Sequence, residues 1–491
     1  MTTNKQVSIE TLKPNEVWKN FYALTQIPRP SKAEKKAAEY ILQFGKKLGL
    51  KSIMDEIGNV IISKPATAGM EKCTGIILQA HIDMVPQKNN DKIHDFNNDP
   101  IEAYADGEWV KANGTTLGAD NGIGVAAAMA VLESQTAEHG PLEVLITIDE
   151  ETGMTGAKNL SPTVLKGEIL INLDSEDEGE LYVSCAGGLD GTFTFNYERE
   201  EMPEGFIPVK LSVTKFKGGH SGLDIHLNRA NANKVMFRLL KILANKTDAR
   251  LASIEGGNMR NAIPREAVAV VAIEKNKEQE LNKIVDELRE IIKAEYWAEE
   301  NDFEIFVEQT DKPEEIIDKK TQTALIDAIY GCPNRVICMS DSMHGLVETS
   351  TNLAIVKSES GKIQVKCLMR SSVDTAKLDL AEAMESVFRQ AGAEVEFSGG
   401  YSGWKPNMNS PILGVMRETY KELYNRTPEV KAIHAGLECG IFGGIYPNWD
   451  MISFGPTIRH PHSPAEKVNI ESVDKFWKFL VATLKNAPKK K

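Results

Sequence analysis

The stretch GIILQAHID, residues 75–83, places a short apolar run directly before His81 and Asp83. A run of this length without polar alternation reads as a strand buried on both faces, as in parallel sheets. Three more runs share the form. EVLITI (143–148) leads into Asp149, Glu150 and Glu151, EILINL (168–173) leads into Asp174, and MISFGP (451–456) leads, after a short loop, into His460 and His462. In open α/β sheets ligands bind outside the carboxyl ends of the strands. Four runs ending in imidazole or carboxylate side chains would therefore aim them at one place.

The pattern around these runs predicts an α/β domain with a mostly parallel sheet flanked by helices. Two amphipathic helices are expected over 15–49, a strand at 60–63 and a helix at 122–134. From about 187 the texture changes. A strand at 208–214, a helix near 229–246, a strand near 250–254 and a strand at 266–274 are expected, then a charged helix at 276–296 and the strand 303–309. That order approximates β-α-β-β-α-β. A second set of similar order follows: a helix near 320–330, strands near 351–357 and 362–370, a helix at 377–391 and AEVEF at 393–397. The Gly- and Pro-rich GGYSGWKPN (399–407) reads as a domain crossing. Beyond it a helix (412–425), strands near 429–433 and 451–456, and a closing helix (470–485) return to the first domain. The expected organisation is a discontinuous catalytic domain, 1–186 and 401–491, with an inserted α+β domain over 187–400 that resolves into two similar units.

Composition narrows the function. The 491 residues carry a formal net charge of −13, which argues against nucleic acid or an anionic membrane surface as partner. The N-terminal stretch MTTNKQVSIETLKPNEVW has no apolar leader core, and no apolar run is long enough to span a bilayer. Six scattered cysteines without a Cys-x-x-Cys pair read as reduced thiols of a cytoplasmic protein. Lys489 to Lys491 read as a solvated tail.

Imidazole plus carboxylate, without thiolate, suits zinc, cobalt or manganese. Asp83, two residues from His81 in an extended segment, can orient a ligating imidazole. Glu150 and Glu151 would leave opposite sides of a strand end, one for metal and one for substrate. A carboxylate that does not ligate can take a proton from activated water and pass it to a leaving amine. Each piece alone has an ordinary reading: His-x-Asp as a surface pair, DEE as a solvated loop, Asp174 as a helix cap, Asp120 as a turn residue beside Gly122. Their coincidence at strand ends favours a site. Gly122-Ile-Gly124-Val-Ala-Ala fits a dinucleotide fingerprint in letters only, because a polar turn rather than a strand precedes it.

The set LQAHIDMV, LGADNGIGVA, IDEETGMTGA, INLDSEDEG, GGHSGLDIH and HPHSPAEKV, spanning 78–468, resembles metallopeptidase family M20, with the nearest match in its aminoacyl-histidine dipeptidase branch. The resemblance implies two metal ions, most simply zinc, with cobalt or manganese as substitutes. His81 and Asp174 would hold one, Glu151 and His462 the other, and Asp120 would bridge them. It further implies Asp83 as the residue orienting His81, Glu150 as general base and acid, and His220 in GGHSG as the group facing the oxyanion. Asn261 in NAIP and Arg370 in CLMRSS would hold the substrate's C-terminal carboxylate. Gly436 and Glu438 in HAGLECG match the remaining substrate positions, with Glu438 facing the free amine.

What the resemblance implies is hydrolysis of dipeptides with a free N-terminus, Xaa-His included, inside an enzyme whose inserted domain acts as a lid. Relatives dimerise through that lid, so a homodimer is one expected arrangement; two similar lid units would instead let one chain supply its own His220. Two other readings stay open on the residues: an N-acyl amino acid deacylase with the same metal chemistry, and a non-catalytic metal- and peptide-binding protein.

Overall fold

The computed structural model describes residues 8–490; residues 1–7, from the stretch expected to carry no leader, and Lys491, last of the tail lysines, lie outside the described residues. The chain divides into two compact units. The first comprises Met1–Ser184, Pro406–Ala432 and Leu437–Lys491, and the second comprises Cys185–Lys405 and Ile433–Gly436.

The first unit is built on an eight-stranded mixed sheet, ordered Lys51–Met54, Val60–Lys64, Leu142–Thr147, Ile76–His81, Ile169–Asn172, Asp450–Ser453, Glu180–Cys185, Glu429–Ile433. The four apolar runs are its four central strands, and those four are mutually parallel. Every residue of Ile76–His81 is buried, which is why the run carries no polar alternation. The strand Val60–Lys64 joins the parallel set antiparallel, as does Glu180–Cys185 on the other side. The chain leaves Ile76–His81 for a neighbour on one side and later adds Ile169–Asn172 on the other, so the order reverses at this strand. In open sheets loops diverge at such a reversal, at the carboxyl ends of the strands.

The helix Ala119–Glu133 is apolar on all sides and almost wholly buried, as expected of a crossover helix lying between the sheet and an outer layer. A Cβ on Gly124 would come within 2.8 Å of the Leu173 carbonyl oxygen, so the Gly-x-Gly letters serve close packing rather than phosphate binding. A small antiparallel sheet was not legible in the sequence. Ala103–Asp106 pairs with Trp109–Ala112, which pairs with Lys467–Asn469, which in turn pairs with Ile458–Arg459. Lys489 and Lys490 of the expected solvated tail are exposed, and their backbone is tied down, since Lys489 forms a β-bridge with Cys73 and the Lys490 N–H donates to the Lys72 carbonyl at 2.9 Å.

The second unit carries a nine-stranded antiparallel sheet. Its main path runs Glu304–Gln309, Phe206–Thr214, Ala267–Glu274, Arg250–Gly256, Val347–Glu359, Lys362–Ser371, Gly187–Asn196, Glu394–Tyr401, and Arg335–Met339 pairs beside Val347–Glu359. In chain order each half is β-α-β-β-α-β, and the first half is inserted between the first strand and first helix of the second. The halves meet where Glu255 and Gly256 pair with Lys357 and Val356. Helix Glu278–Glu295 buries Leu281, Ile284, Val285, Leu288 and Ile292 at helical spacing. Helix Ala232–Thr247 begins later than its apolar pattern suggests, because the Asn231 side chain caps it by accepting the Lys234 N–H.

Phe388 is fully buried in this unit's core, stacked on Phe193 with ring centroids 3.9 Å apart and edge-on to Phe195. Phe388→Ala should cost about 3–5 kcal/mol, read as a lowered denaturant midpoint for the transition of this unit.

Candidate active site

Four strand ends and two loops deliver the site of the first unit. His81 closes its strand, 1% exposed, with Nδ1 3.3 Å from Asp83 Oδ1. Asp83, fully buried, does more than orient that ring. Its Oδ1 accepts the Glu150 N–H at 3.0 Å, and its Oδ2 accepts the Glu151 N–H at 3.2 Å and the Ser31 hydroxyl at 2.8 Å. One carboxylate therefore faces the imidazole and fixes the backbone of the two glutamates. The expectation that Glu150 and Glu151 diverge as strand neighbours is corrected. The strand ends at Thr147, Asp149 takes a left-handed φ of 53°, and Glu150–Gly153 is a helical turn. Asp149 accepts from the Thr152 and Thr155 hydroxyls and closes that turn.

Asp120 lies at the start of the long helix with a non-helical ψ of 107°. Its Oδ1 is 3.2 Å from His81 Nε2, which is also 3.2 Å from Asp174 Oδ1. Its Oδ2 is 3.1 Å from His462 Nε2, which is also 3.0 Å from Glu151 Oε2. Each imidazole nitrogen thus faces two carboxylate oxygens, although a single N–H can satisfy only one. Asp174 Oδ1 and Glu151 Oε1 are buried without a hydrogen-bond partner. The donors fit cations. Nitrogen and oxygen ligands at 2.0–2.1 Å from a tetrahedral zinc lie about 3.3 Å from one another, close to the spacings found. Asp120, Glu150, Glu151 and Asp174 bring four carboxylates, whose charge two divalent ions would balance.

The electrostatics agree. Burial, reinforced by Asp120 and Glu151 against the pull of His81, pushes Asp174 up to about 7. The Asp120 and Glu151 carboxylates, as acceptors facing its Nε2, raise His462 to about 11. Glu150 is driven well above the usual carboxylate range by burial; His81 opposes the rise, and Asp174, Glu438 and Glu151 add to it.

Beneath these ligands lies a row that sequence reading missed. Thr147, Gln79, Asn172 and Ser453 come one from each central strand and are all buried. Gln79 Nε2 donates to Thr147 Oγ1 at 3.2 Å, Asn172 Nδ2 to Gln79 Oε1 at 2.5 Å, and Ser453 Oγ to Asn172 Oδ1 at 2.5 Å. A single polar letter in each apolar run is its only trace in the sequence. Glu438, 1% exposed, accepts at Oε2 from Gln79 (2.5 Å) and Thr147 (2.8 Å), while its Oε1 has no partner. Burial raises this carboxyl to about 8.

His220, Asn261, Arg370 and Gly436 belong to the second unit. His220 pairs across a short ladder with Ala262, beside Asn261, whose carbonyl accepts the Ser221 N–H at 2.8 Å. His220 Nδ1 accepts the N–H groups of Gly222 (3.1 Å) and Leu223 (3.0 Å), which leaves the proton on Nε2. Burial, then the charge of Arg370, lowers its pKa and keeps the ring neutral. Arg370 is 5% exposed with an unpartnered Nε, and its Nη1 donates to Tyr401 Oη at 3.3 Å. A Cβ on Gly436 would lie 3.0 Å from that same Tyr401 hydroxyl. Tyr401, set in a Gly-rich stretch, gave no sequence signal. His434 is buried, hydrogen-bonded through Nε2 to Ser350 Oγ at 2.7 Å, and lowered to about 3 by burial and Arg370.

Comparison with known proteins adds an independent line. The model of "Peptidase family M20/M25/M40" matches residues 77–486. The chain is 46% identical to the cytosol non-specific dipeptidase of Escherichia coli over 98% of its own length and 99% of that protein. It is 48% identical to the crystal structure of the aminoacylhistidine dipeptidase from Vibrio alginolyticus, with a TM-score of 0.95 and 99% of both chains covered. At 16% identity and a TM-score of 0.57, the aminopeptidase PepT from Bacillus cereus shares the fold.

Asp120→Ala removes the side chain common to the two clusters. Elemental analysis of the purified protein should then find at most one divalent ion per chain, with the wild type holding two.

Proposed function

This chain belongs to peptidase family M20/M25/M40, and on that premise we propose that it is a two-metal dipeptidase acting on dipeptides with a free N-terminus, Xaa-His among them. Zinc is the metal we assign, because imidazole and carboxylate donors at tetrahedral spacing suit it. The observation that carries the reading is Asp120, whose two oxygens each face a different imidazole–carboxylate pair, with Glu150 beside them.

Two divalent ions, when bound, polarise the scissile carbonyl and bring the pKa of a water toward neutrality. The side chains do the rest. Asp83 holds His81 with Nε2 presented. Glu150 takes the proton of the attacking water on its carboxylate and delivers it to the leaving nitrogen. In the second unit, His220 offers its Nε2–H to a developing oxyanion. Arg370, a buried guanidinium with donor capacity to spare, and Asn261 receive the C-terminal carboxylate of the substrate. A requirement for a C-terminal carboxylate at these groups would favour dipeptides over longer peptides. Glu438 Oε1 is assigned the substrate's free amine, and Gly436 keeps the space beside Tyr401 open.

We also assign a cytoplasmic location, in line with the name of the E. coli relative; no helix among the described residues is long and apolar enough to cross a membrane.

Glu150→Ala should keep its metal by elemental analysis and lose turnover by at least ~100-fold on β-Ala-His, the low end of general acid–base contributions. Retained turnover would remove Glu150 from the proton path. The N-acetylated form of the same dipeptide should be a poor substrate for the wild-type enzyme. Equal or faster cleavage of it would make the protein a deacylase.

A further inference from the structure

We propose that Glu466 is a positioning residue that holds the bridging carboxylate of Asp120 against the loop of His462, and so governs the second cation site, that of Glu151 and His462. The inference rests on the two-metal reading above.

Residues 460–466 close a hairpin between Ile458–Arg459 and Lys467–Asn469, and that hairpin is anchored to Trp109–Ala112. The loop therefore carries both His462 and Glu466. Glu466 is 2% exposed, and no lysine or arginine among the described residues comes within ion-pair distance of it. Its carboxylate is met instead by four successive backbone N–H groups. Oε2 accepts from Leu117 at 2.7 Å and Gly118 at 2.9 Å, and Oε1 accepts from Ala119 at 2.8 Å and Asp120 at 3.2 Å. These groups belong to the irregular segment that leads into the long helix, in which Gly118 is left-handed and Asp120 non-helical, so no helix ladder satisfies them. Gly118 makes the convergence geometrically possible. Its φ is +69°, and a Cβ there would lie 2.6 Å from Arg29 Nη2.

The same segment is gripped from its carbonyl side by Arg29, which is 2% exposed. Arg29 Nη2 donates to the Gly118 carbonyl at 2.6 Å, and Nη1 donates to the Ile82 carbonyl at 2.7 Å. The division of labour follows. Arg29 ties the Asp120 segment to the segment of His81, whereas Glu466 ties it to the loop of His462. Loss of Glu466 removes one of the charges that face Arg29 but leaves the hydrogen bonds of Arg29 and of Asp83 to the His81 and Glu150 segments in place. It frees the His462 loop from Asp120, and four N–H groups lose their acceptor.

The test uses the full chain, stripped of metal and titrated with Zn²⁺ by calorimetry and with Co²⁺ by visible absorption, for wild type, E466A and E466Q. Thermal unfolding of each metal-free protein confirms the fold. Both variants should bind the first cation within about threefold of wild type and the second about 10–100-fold more weakly, the range found when a residue supporting a ligand is removed. E466Q should lose less than E466A, since its amide oxygen can still accept. Should E466A fail to fold, E466Q decides alone. Unchanged affinity for both cations in the variants would overturn the assignment, as would an equal loss at both sites. A wild-type titration with only one site would instead bring down the two-metal reading itself.

Discussion

Two imidazole–carboxylate pairs share one aspartate, and that sharing constrains everything near it. Asp120 must present its oxygens in two directions, toward His81 and Asp174 on one side and toward His462 and Glu151 on the other. A carboxylate is the one protein side chain that can face two cations with a full negative charge and an oxygen for each. Four carboxylates gathered in a nearly dry pocket would repel one another strongly without such partners, and the elevated pKa values of Asp174 and Glu150 record that repulsion together with burial. The site is thus stable as a charged array only in combination with positive charge, which is also what the chemistry requires.

Such an array has to be held by groups that are themselves immobile. Asp83 binds a ring nitrogen and two backbone N–H groups, so the His81 ring and the turn of Glu150 and Glu151 move as one piece. Arg29 is buried deeply enough to lower its pKa to about 10, and its charge is met by neighbouring acids and by carbonyl oxygens of the two segments it joins. Removing one member of such a buried set exposes the full desolvation penalty of the others. Under the ligands, the row from Thr147 to Ser453 gives each central strand a lateral side-chain bond to its neighbour. Strand slippage would break the row as well as the backbone ladder.

The second unit follows a different design. Its main sheet is antiparallel, with helices over one large apolar core beside a small cluster of Ile225, Ile263 and Val347, and its polar residues of interest sit on a two-strand ladder, a sheet strand and the segment near Gly436. His220 is preset as a neutral donor by two backbone N–H groups on Nδ1, and Arg370 is buried with donor capacity to spare. Both side chains thus keep donor capacity that the fold itself does not use.

Much of this was readable from the chain alone. The runs at 75–80, 143–148, 168–173 and 451–456 announce strands buried on both faces because no polar alternation interrupts them, and each hands over to a ligand-type side chain at its carboxyl end. Local periodicity located most helices to within a few residues, and the motifs resembling family M20 singled out the aspartate that faces both imidazoles. What lay outside the sequence were relations between segments far apart in it. Glu466 looks like one more surface glutamate until the hairpin at 458–469 carries it to the backbone of residues 117–120. Arg29 and Tyr401 have no local signature, and the row of Thr147, Gln79, Asn172 and Ser453 exists only once four strands lie side by side. Residue type and spacing determine which chemistry is available and where strands and helices form, since those depend on neighbours along the chain. Which buried charge meets which backbone group is decided by tertiary packing, because burial and hydrogen-bond geometry arise only when distant segments are brought together.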